Sequence, residues 1–475
     1  MKLLNMTKRP KIIHLNSKQV TYKISNLAIE QVTGGTVTWI LKQNNNTLAS
    51  MTCPPSSNES MTFEKFEGNA SLSITYNDLA FVEPFDGLNI TLTNGTTTVT
   101  GTTSVILDNL TFDDMFKLNL DIELTENYPM ILEYTTTSAN QEIILPLSGS
   151  VDTQVDWGDG SEIEHVTTNH PAHTYTDAGI YDVKVKGKVT DLNSYNISLS
   201  YKEFLTKVKS WGKLEGLTLM HNAFNRCTNL KEMPADEYGC FKNVTNFENC
   251  FYYCTGLTSI PEELFVNCSN VTTFFQCFSN CSGLTGEIPE NLFANCPNVT
   301  DFGVCFSNCS GLTGEIPATL FSNCPNVTNF NQCFVNCNGL TGEIPATLFS
   351  NCPNARSFLQ CFSGCSGLTS IPKELFSNCP NVTSFYSCFE DCTGLTFIPD
   401  GLFNNCPNVT TFRKCFGYCS GLTGETPKDT LKDGTKIELW ERVGKAGYPS
   451  SITGTNCFIS CTKLSNYRTI PSGWK

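Results

Sequence analysis

Residues 305–330 read CFSNCSGLTGEIPATLFSNCPNVTNF, and near-copies of this stretch fill the second half of the chain. The first cysteine of each C-F-x-x-C group falls at Cys250, Cys277, Cys305, Cys333, Cys361, Cys388 and Cys415, at successive offsets of 27, 28, 28, 28, 27 and 27. A degenerate turn, Ala223-Phe224 to Cys227, precedes them, and a last one follows at Cys457 after an insertion. Self-similarity at a fixed period of this length predicts units that stack on one another to share a core, about nine turns in all.

Within one turn, Val299, Phe302, Phe306 and Cys309 recur at steps of three, four and three, the spacing of one helical face. Pro297 suits a helix's first turn and Gly311 its end. "GLTGEIP" then reads as a short strand with Leu312 and Ile316 inward, and "PATLFSNC" as a further helical turn bearing Leu320 and Phe321. The 28-residue turns carry Gly-Glu where the 27-residue turns carry one residue, the mark of a one-residue bulge. The expected architecture is an α/β solenoid over 201–475, with an insertion near 425–455 and a C-terminal cap.

Of 25 cysteines, 24 lie between Cys227 and Cys461. Cys305 and Cys309 are spaced like two zinc ligands, but a structural zinc site needs four ligands and no histidine follows His221. Disulfides between equivalent cysteines of adjacent turns would require an oxidising compartment. The apolar run after Lys2 in "MKLLNMTKRPKIIHLNSK" is about two residues, against the ~7–15 of a secretory signal, so synthesis in a reducing cytosol is expected. Cys305, Cys309 and Cys324, with Phe306, are therefore expected to be core residues, the cysteines as free thiols acting as small hydrophobes.

Upstream the texture changes twice. Residues 1–125 hold one cysteine, Cys53, and alternating runs such as "TVTWILKQ" and "SLSITY" broken by Asn-Gly and Gly-Gly pairs, which predict an antiparallel β-sandwich. Residues 126–200 contain "VDWGDGS", "HTY" and "AGIYDVKV", which resemble a PKD-type Ig-like module: Trp157 ends a strand, Gly158 to Gly160 turn, and Gly179 with Tyr181 open a late strand. Trp157 and Tyr181 are expected in its core. Asp156 and Asp159 have the chemistry of calcium ligands, but carboxylates in such a turn are expected to cap backbone N–H groups.

"NVTNFNQCFVNCNGLTGEIPATLF" is similar to the BspA-like leucine-rich repeats of bacterial and bacteriophage surface proteins, in a branch where a "WGDG" module and a "WG" linker, here Ser210-Trp211-Gly212, precede the repeats. The resemblance covers 127 to 475. Its departures are the extra cysteine opening each C-F-x-x-C and the insertion between Gly424 and Cys457.

Function follows from what the chain carries. A net charge of −14 lacks the basic stripe of a nucleic-acid binder. No apolar run of ~20 residues predicts membrane insertion. The five histidines, at 14, 165, 170, 173 and 221, face no nucleophile by spacing, and no phosphate loop, zinc-hydrolase helix or nucleophile elbow occurs, so no catalytic residue, cofactor or metal is expected. Glu287, Glu315 and Glu343 repeat in register as a ladder rather than a hydrolytic pair. Variation between turns concentrates in the two residues before each C-F: Glu248-Asn249, Phe275-Gln276, Gly303-Val304, Asn331-Gln332, Leu359-Gln360, Tyr386-Ser387 and Arg413-Lys414. Drift at solvated positions is one reading of them all; the other is a candidate partner-binding stripe of Phe275, Gln276, Val304, Asn331, Gln332, Leu359, Gln360, Tyr386, Arg413 and Lys414. Phe275, Leu359 and Tyr386 suggest the second, a stripe contacting a host-surface glycan or protein.

Together with the resemblance, these features imply a non-enzymatic, homo-oligomeric adhesin. In one setting it is a bacteriophage head fibre, decoration or tail adhesion subunit, made in the host cytoplasm, whose N-terminal domain docks on other virion proteins. In the other it is an exported bacterial cell-surface adhesin. A carbohydrate-active enzyme is the remaining alternative.

Overall fold

A computed structural model describes residues 6–8, 11–16, 19–23, 32–53, 60–64, 67–81, 85–94, 96–102, 104–111, 118–126 and 128–475. They fall into two compact units, Met1–Tyr128 and Pro129–Lys475. The second unit thus takes in both the Trp157 module and every repeat.

In the first unit the alternating runs become strands β1 (Met6–Lys8), β2 (Lys11–Asn16), β3 (Gln19–Lys23), β4 (Val32–Gln43), β5 (Asn46–Cys53), β6 (Ser60–Glu64), β7 (Ala70–Phe81), β8 (Phe85–Thr93), β9 (Thr98–Gly101), β10 (Ser104–Leu110) and β11 (Asn119–Glu126). They pair antiparallel in three sheets, β10-β7-β4-β5, β1-β11-β8-β9 and β2-β3-β6. Period-two burial puts Val37, Trp39 and Leu41 of β4 and Leu72, Ile74 and Tyr76 of β7 inward. Asn44 and Asn45 turn the β4–β5 hairpin with φ of 46° and 66°, the left-handed pair that a two-residue loop requires.

The second unit opens with β12 (Met130–Thr136), β13 (Gln141–Ile144), β14 (Leu147–Asp156), β15 (Glu164–Val166), β16 (Ala172–Tyr175), β17 (Gly179–Leu192) and β18 (Leu205–Ser210). A five-stranded sheet, β15-β14-β17-β12-β18, is joined by the pair β13-β16. Trp157 is buried, and the buried Tyr175 donates its hydroxyl to the Trp157 carbonyl at 2.7 Å. Tyr181, expected inside, is half-buried and stacks on Tyr175 at 3.7 Å. Asp156 and Asp159 accept the backbone N–H groups of Gly158 and Ser161, each at 3.0 Å.

The repeats overturn the expected α/β solenoid. Among the described residues the sole α-helix is the single turn α1 (Leu199–Lys202), ahead of the repeats, and the repeats are tight turns with two short strand pairings. Val299, Phe302, Phe306 and Cys309 are fully buried together, but Val304 and Asn308 between them have φ of 59°, which no right-handed helix tolerates. Cys305 and Cys309 N–H close i→i−3 turns onto Phe302 and Phe306, while the Phe306 N–H goes to the Cys333 carbonyl one turn on, at 2.9 Å. Gly311 has a different duty from ending a helix. A Cβ there would sit 2.4 Å from the Leu284 carbonyl oxygen of the preceding turn, so glycine is what lets the coils approach.

Stacking begins on the β module itself. Lys188 and Asp191 of β17 bridge in parallel to Glu215 and Leu219, and the ladder continues through Asn246, Thr273, Asp301, Asn329, Ser357, Ser384, Thr411 and Thr453. The expected bulge appears where Gly342–Glu343 (β19) pairs with Leu368–Ser370 (β20) with a register shift.

Candidate functional site

Three phenylalanine columns run through the stack. The C-F ring, exemplified by Phe306, stacks on Phe278 and Phe334, both at 5.7 Å. Phe302 and Phe321 head the other two, and the columns touch at 4.8 Å. The cysteines complete this core, and 24 are buried free thiols.

The second cysteine of each group has a role beyond filling space. Its Sγ donates to the carbonyl of the C-F phenylalanine one turn back: Cys281 to Phe251, Cys309 to Phe278 and Cys337 to Phe306 at 3.0 Å, Cys365 to Phe334 at 2.9 Å. Each such carbonyl also accepts the N–H of the second cysteine of its own group, as Phe278 does from Cys281 at 3.1 Å, so the thiol supplies a second hydrogen bond in the dry interior. Cys324 makes only long contacts, 3.7 and 3.9 Å. Burial pushes these thiols up, Cys281 to about 12, which suppresses thiolate and with it nucleophilic or redox reactivity.

Polar ladders clothe the sides. Asn298 Nδ2 donates to the Ser269 carbonyl, and Asn326 and Asn354 to those of Pro297 and Pro325, at 2.9, 3.1 and 3.0 Å. Thr300 and Thr328 hydroxyls donate to Thr272 and Thr300. The asparagines of the Asn-Val-Thr triplets at 270, 298, 326, 381 and 408 are therefore structural donors, and Asn354 keeps that role where the triplet is Asn-Ala-Arg.

The stack brings the predicted stripe into two adjacent surface columns. Phe275, Asn331, Leu359, Tyr386 and Arg413 stand one above another, with Gln276, Val304, Gln332, Gln360 and Lys414 alongside; Arg413 is exposed and the rest are half-buried. Gly303 gives the Phe275 ring its seat, since a Cβ at Gly303 would come within 3.1 Å of it. Gln332 Nε2 donates to Gln360 Oε1 at 2.8 Å. Arg413 lies 5.6 Å from the centre of the Tyr386 ring, and Lys414 bonds Glu390 at 2.9 Å. Every residue immediately before the C-F has positive φ, 51–59° from Asn249 to Lys414.

Three overlapping stretches, 179–291, 218–347 and 265–373, match the model of a family described as Mycoplasma protein of unknown function, DUF285. The repeats are similar to that family. The similarity is compatible with a BspA-like repeat surface protein. No curated protein and no solved structure matches the chain.

Sequence reasoning stopped at the pair before each C-F and missed the neighbouring column, the residue before the second cysteine: Arg226, Tyr253, Asn280, Asn308, Asn336, Gly364, Asp391 and Tyr418. These also differ from turn to turn, and aligning the whole turn would have found them. Beside them at the start of the stack lies Tyr252. Asp159, outside the repeats, is half-buried against His173, which stacks on Trp157 at 4.7 Å. Burial works to raise the Asp159 carboxyl, but hydrogen bonds from Ser161 and His173 outweigh it and lower it to about 2. No group of three or more His, Cys, Asp or Glu among the described residues is placed to hold a metal, and no described helix is long and apolar enough to cross a membrane.

Proposed function

We propose that the chain is a non-enzymatic binding scaffold at the surface of a particle or cell, with the repeat stack presenting one lateral face to a partner. The observation that carries this reading is the segregation of side chains. Around most of each turn, aromatic columns, thiol donors and Asn and Thr ladders serve the stack itself, whereas the columns through Phe275, Leu359 and Tyr386 change chemistry at each step and reach the surface. Rigid backbone supporting variable side chains is the usual physical basis of a recognition surface.

Assembly in a bacteriophage virion, with Met1–Tyr128 docking on the particle and the chain as a head fibre, decoration or tail adhesion subunit, is the setting favoured by the thiols. A core of 24 buried free thiols, among which the second cysteine of each C-F-x-x-C group bonds a carbonyl, suits folding in a reducing cell interior before release. A PKD-type identity for the Trp157 module agrees with its β-sheet architecture and its Gly158–Gly160 turn. The similarity to a Mycoplasma family favours the second reading, an exported bacterial adhesin.

Two measurements test this. Labelled full-length chain is expected to bind host cells, and alanine at Phe275, Leu359 and Tyr386 together to abolish binding while the fold persists; unchanged binding refutes the lateral face. Mass spectrometry of purified virions and of bacterial envelopes decides the setting, because the two readings place the chain's peptides in different fractions.

A further inference from the structure

The column before the second cysteine holds its backbone in one unusual state throughout. Arg226, Tyr253, Asn280, Asn308, Asn336, Gly364, Asp391, Tyr418 and Ser460 all have φ between 57° and 78°. Asn, Asp and Gly are the residues this left-handed region accepts most readily, and they fill the middle of the column. There the side chains also support each other: Asn308 and Asn336 donate to Asn280 and Asn308 Oδ1 at 3.2 and 2.8 Å.

Arg226 and Tyr253 break the pattern in two successive turns. Each holds a large side chain where the backbone favours a small polar one, and Tyr253 is 42% exposed. The Arg226 guanidinium lies 5.8 and 5.5 Å from the ring centres of Tyr252 and Tyr253, and among the described residues it pairs with no carboxylate. In a chain of net charge −14, this exposed guanidinium beside two tyrosines has the charge and planar geometry to take an anion. Backbone strain retained at such a position is what a binding role would explain.

We propose that Arg226, Tyr252 and Tyr253 recognise a carboxylate-bearing sugar unit of an acidic polysaccharide, a reading that rests on the binding-scaffold function above. The guanidinium fork takes the carboxylate in a bidentate pair, and the exposed Tyr253 ring offers a flat apolar surface to the C–H face of the sugar. The Asn280 and Asn308 amides, next in the column, suit hydroxyl groups. An acidic peptide fits less well. Backbone edges that would accept a strand are already used between turns, Tyr253 N–H to Ser279 and Asn280 N–H to Ser307 at 2.8 and 2.7 Å, which leaves only side chains for recognition.

The test is calorimetric titration of the reduced full-length chain with oligosaccharides of alginate, polygalacturonate and hyaluronan, their carboxyl-reduced forms, and poly-glutamate. At least one carboxylated series is expected to bind, with about tenfold or greater weakening on carboxyl reduction. Arg226→Asn and Tyr253→Asn are each expected to weaken it about tenfold while the melting temperature holds or rises, because Asn suits the left-handed backbone. No binding by any of the three series, equal binding of the reduced forms, preference for poly-glutamate, or variants that bind like the parent would each overturn the proposal. Cell binding that survives both variants yet is lost on alanine substitution at Phe275, Leu359 and Tyr386 removes this site and leaves the lateral face standing.

Discussion

Replacing Cys309 by alanine tests whether the second cysteine of each turn acts as a hydrogen-bond donor. In the native stack its Sγ lies 3.0 Å from the Phe278 carbonyl, and both residues are fully buried. Alanine removes one buried heavy atom, about 1 kcal/mol of packing with its cavity term. The Phe278 carbonyl keeps the Cys281 N–H at 3.1 Å, so alanine removes its second hydrogen bond, a further loss of about 0.5–1.5 kcal/mol. Cys324→Ala is the matched control: that thiol is equally buried, but its contacts to carbonyls are 3.7 and 3.9 Å, so only the packing part applies. The expectation is a total loss of about 1.5–2.5 kcal/mol for Cys309→Ala and about 1 kcal/mol for Cys324→Ala, measured from urea midpoints of the full chain under reducing conditions. Cys309→Ser, which keeps a donor, should fall between them. Equal losses for the two alanine variants would refute the donor role and return the cysteines to simple space-filling.

Three further outcomes follow from other parts of the molecule. Arg442, fully buried in the insertion, pairs with buried Asp429 and donates to the Phe403 and Cys406 carbonyls at 2.9 and 3.2 Å, capping carbonyls at the end of the third phenylalanine column. Arg442→Ala strands that carboxylate and should cost about 3–5 kcal/mol in urea unfolding, whereas Arg442→Met with Asp429→Leu should recover most of it. Val304→Asn should raise stability by about 0.5–1 kcal/mol, because a β-branched side chain at φ 59° is replaced by one that tolerates it; a lower urea midpoint would contradict this. Asp159, lowered to about 2 from an unfolded value of 3.8, contributes stability that is complete above pH 4 and is lost as pH falls through 2. Asp159 lies in an exposed turn, so solvent screening holds this contribution to at most about 1 kcal/mol. Asp159→Asn should flatten the acid limb of the unfolding curve between pH 4 and 2, and an unchanged limb would dismiss the Ser161–His173 contacts as its source.

Much of this protein was legible in its primary structure because the decisive signals are periodic and local. The interval between C-F pairs announced a stack, alternation in "TVTWILKQ" and "SLSITY" announced strands, and cysteines recurring beside phenylalanine in every turn announced core positions. The lateral stripe was visible too, since residues that vary within an otherwise constant repeat stand out when turns are aligned. Helix was the wrong inference from Val299, Phe302, Phe306 and Cys309, for a reason their spacing hides. Steps of three and four bury the same residues in a helix and in a run of i→i−3 turns, and only the left-handed Val304 and Asn308 separate the two. Most of the interactions that define the stack join residues 27 to 31 positions apart: Cys309 with Phe278, Gly311 against Leu284, Asn298 with Ser269. The 39 positions from Arg442 to Phe403 span the insertion as well. Composition and period established that coils would stack and which residues they would bury. Their register, set by hydrogen bonds between turns that no local pattern encodes, decided that cysteine would serve as a donor, glycine as a spacer, and Arg226 and Tyr253 as neighbours on one face.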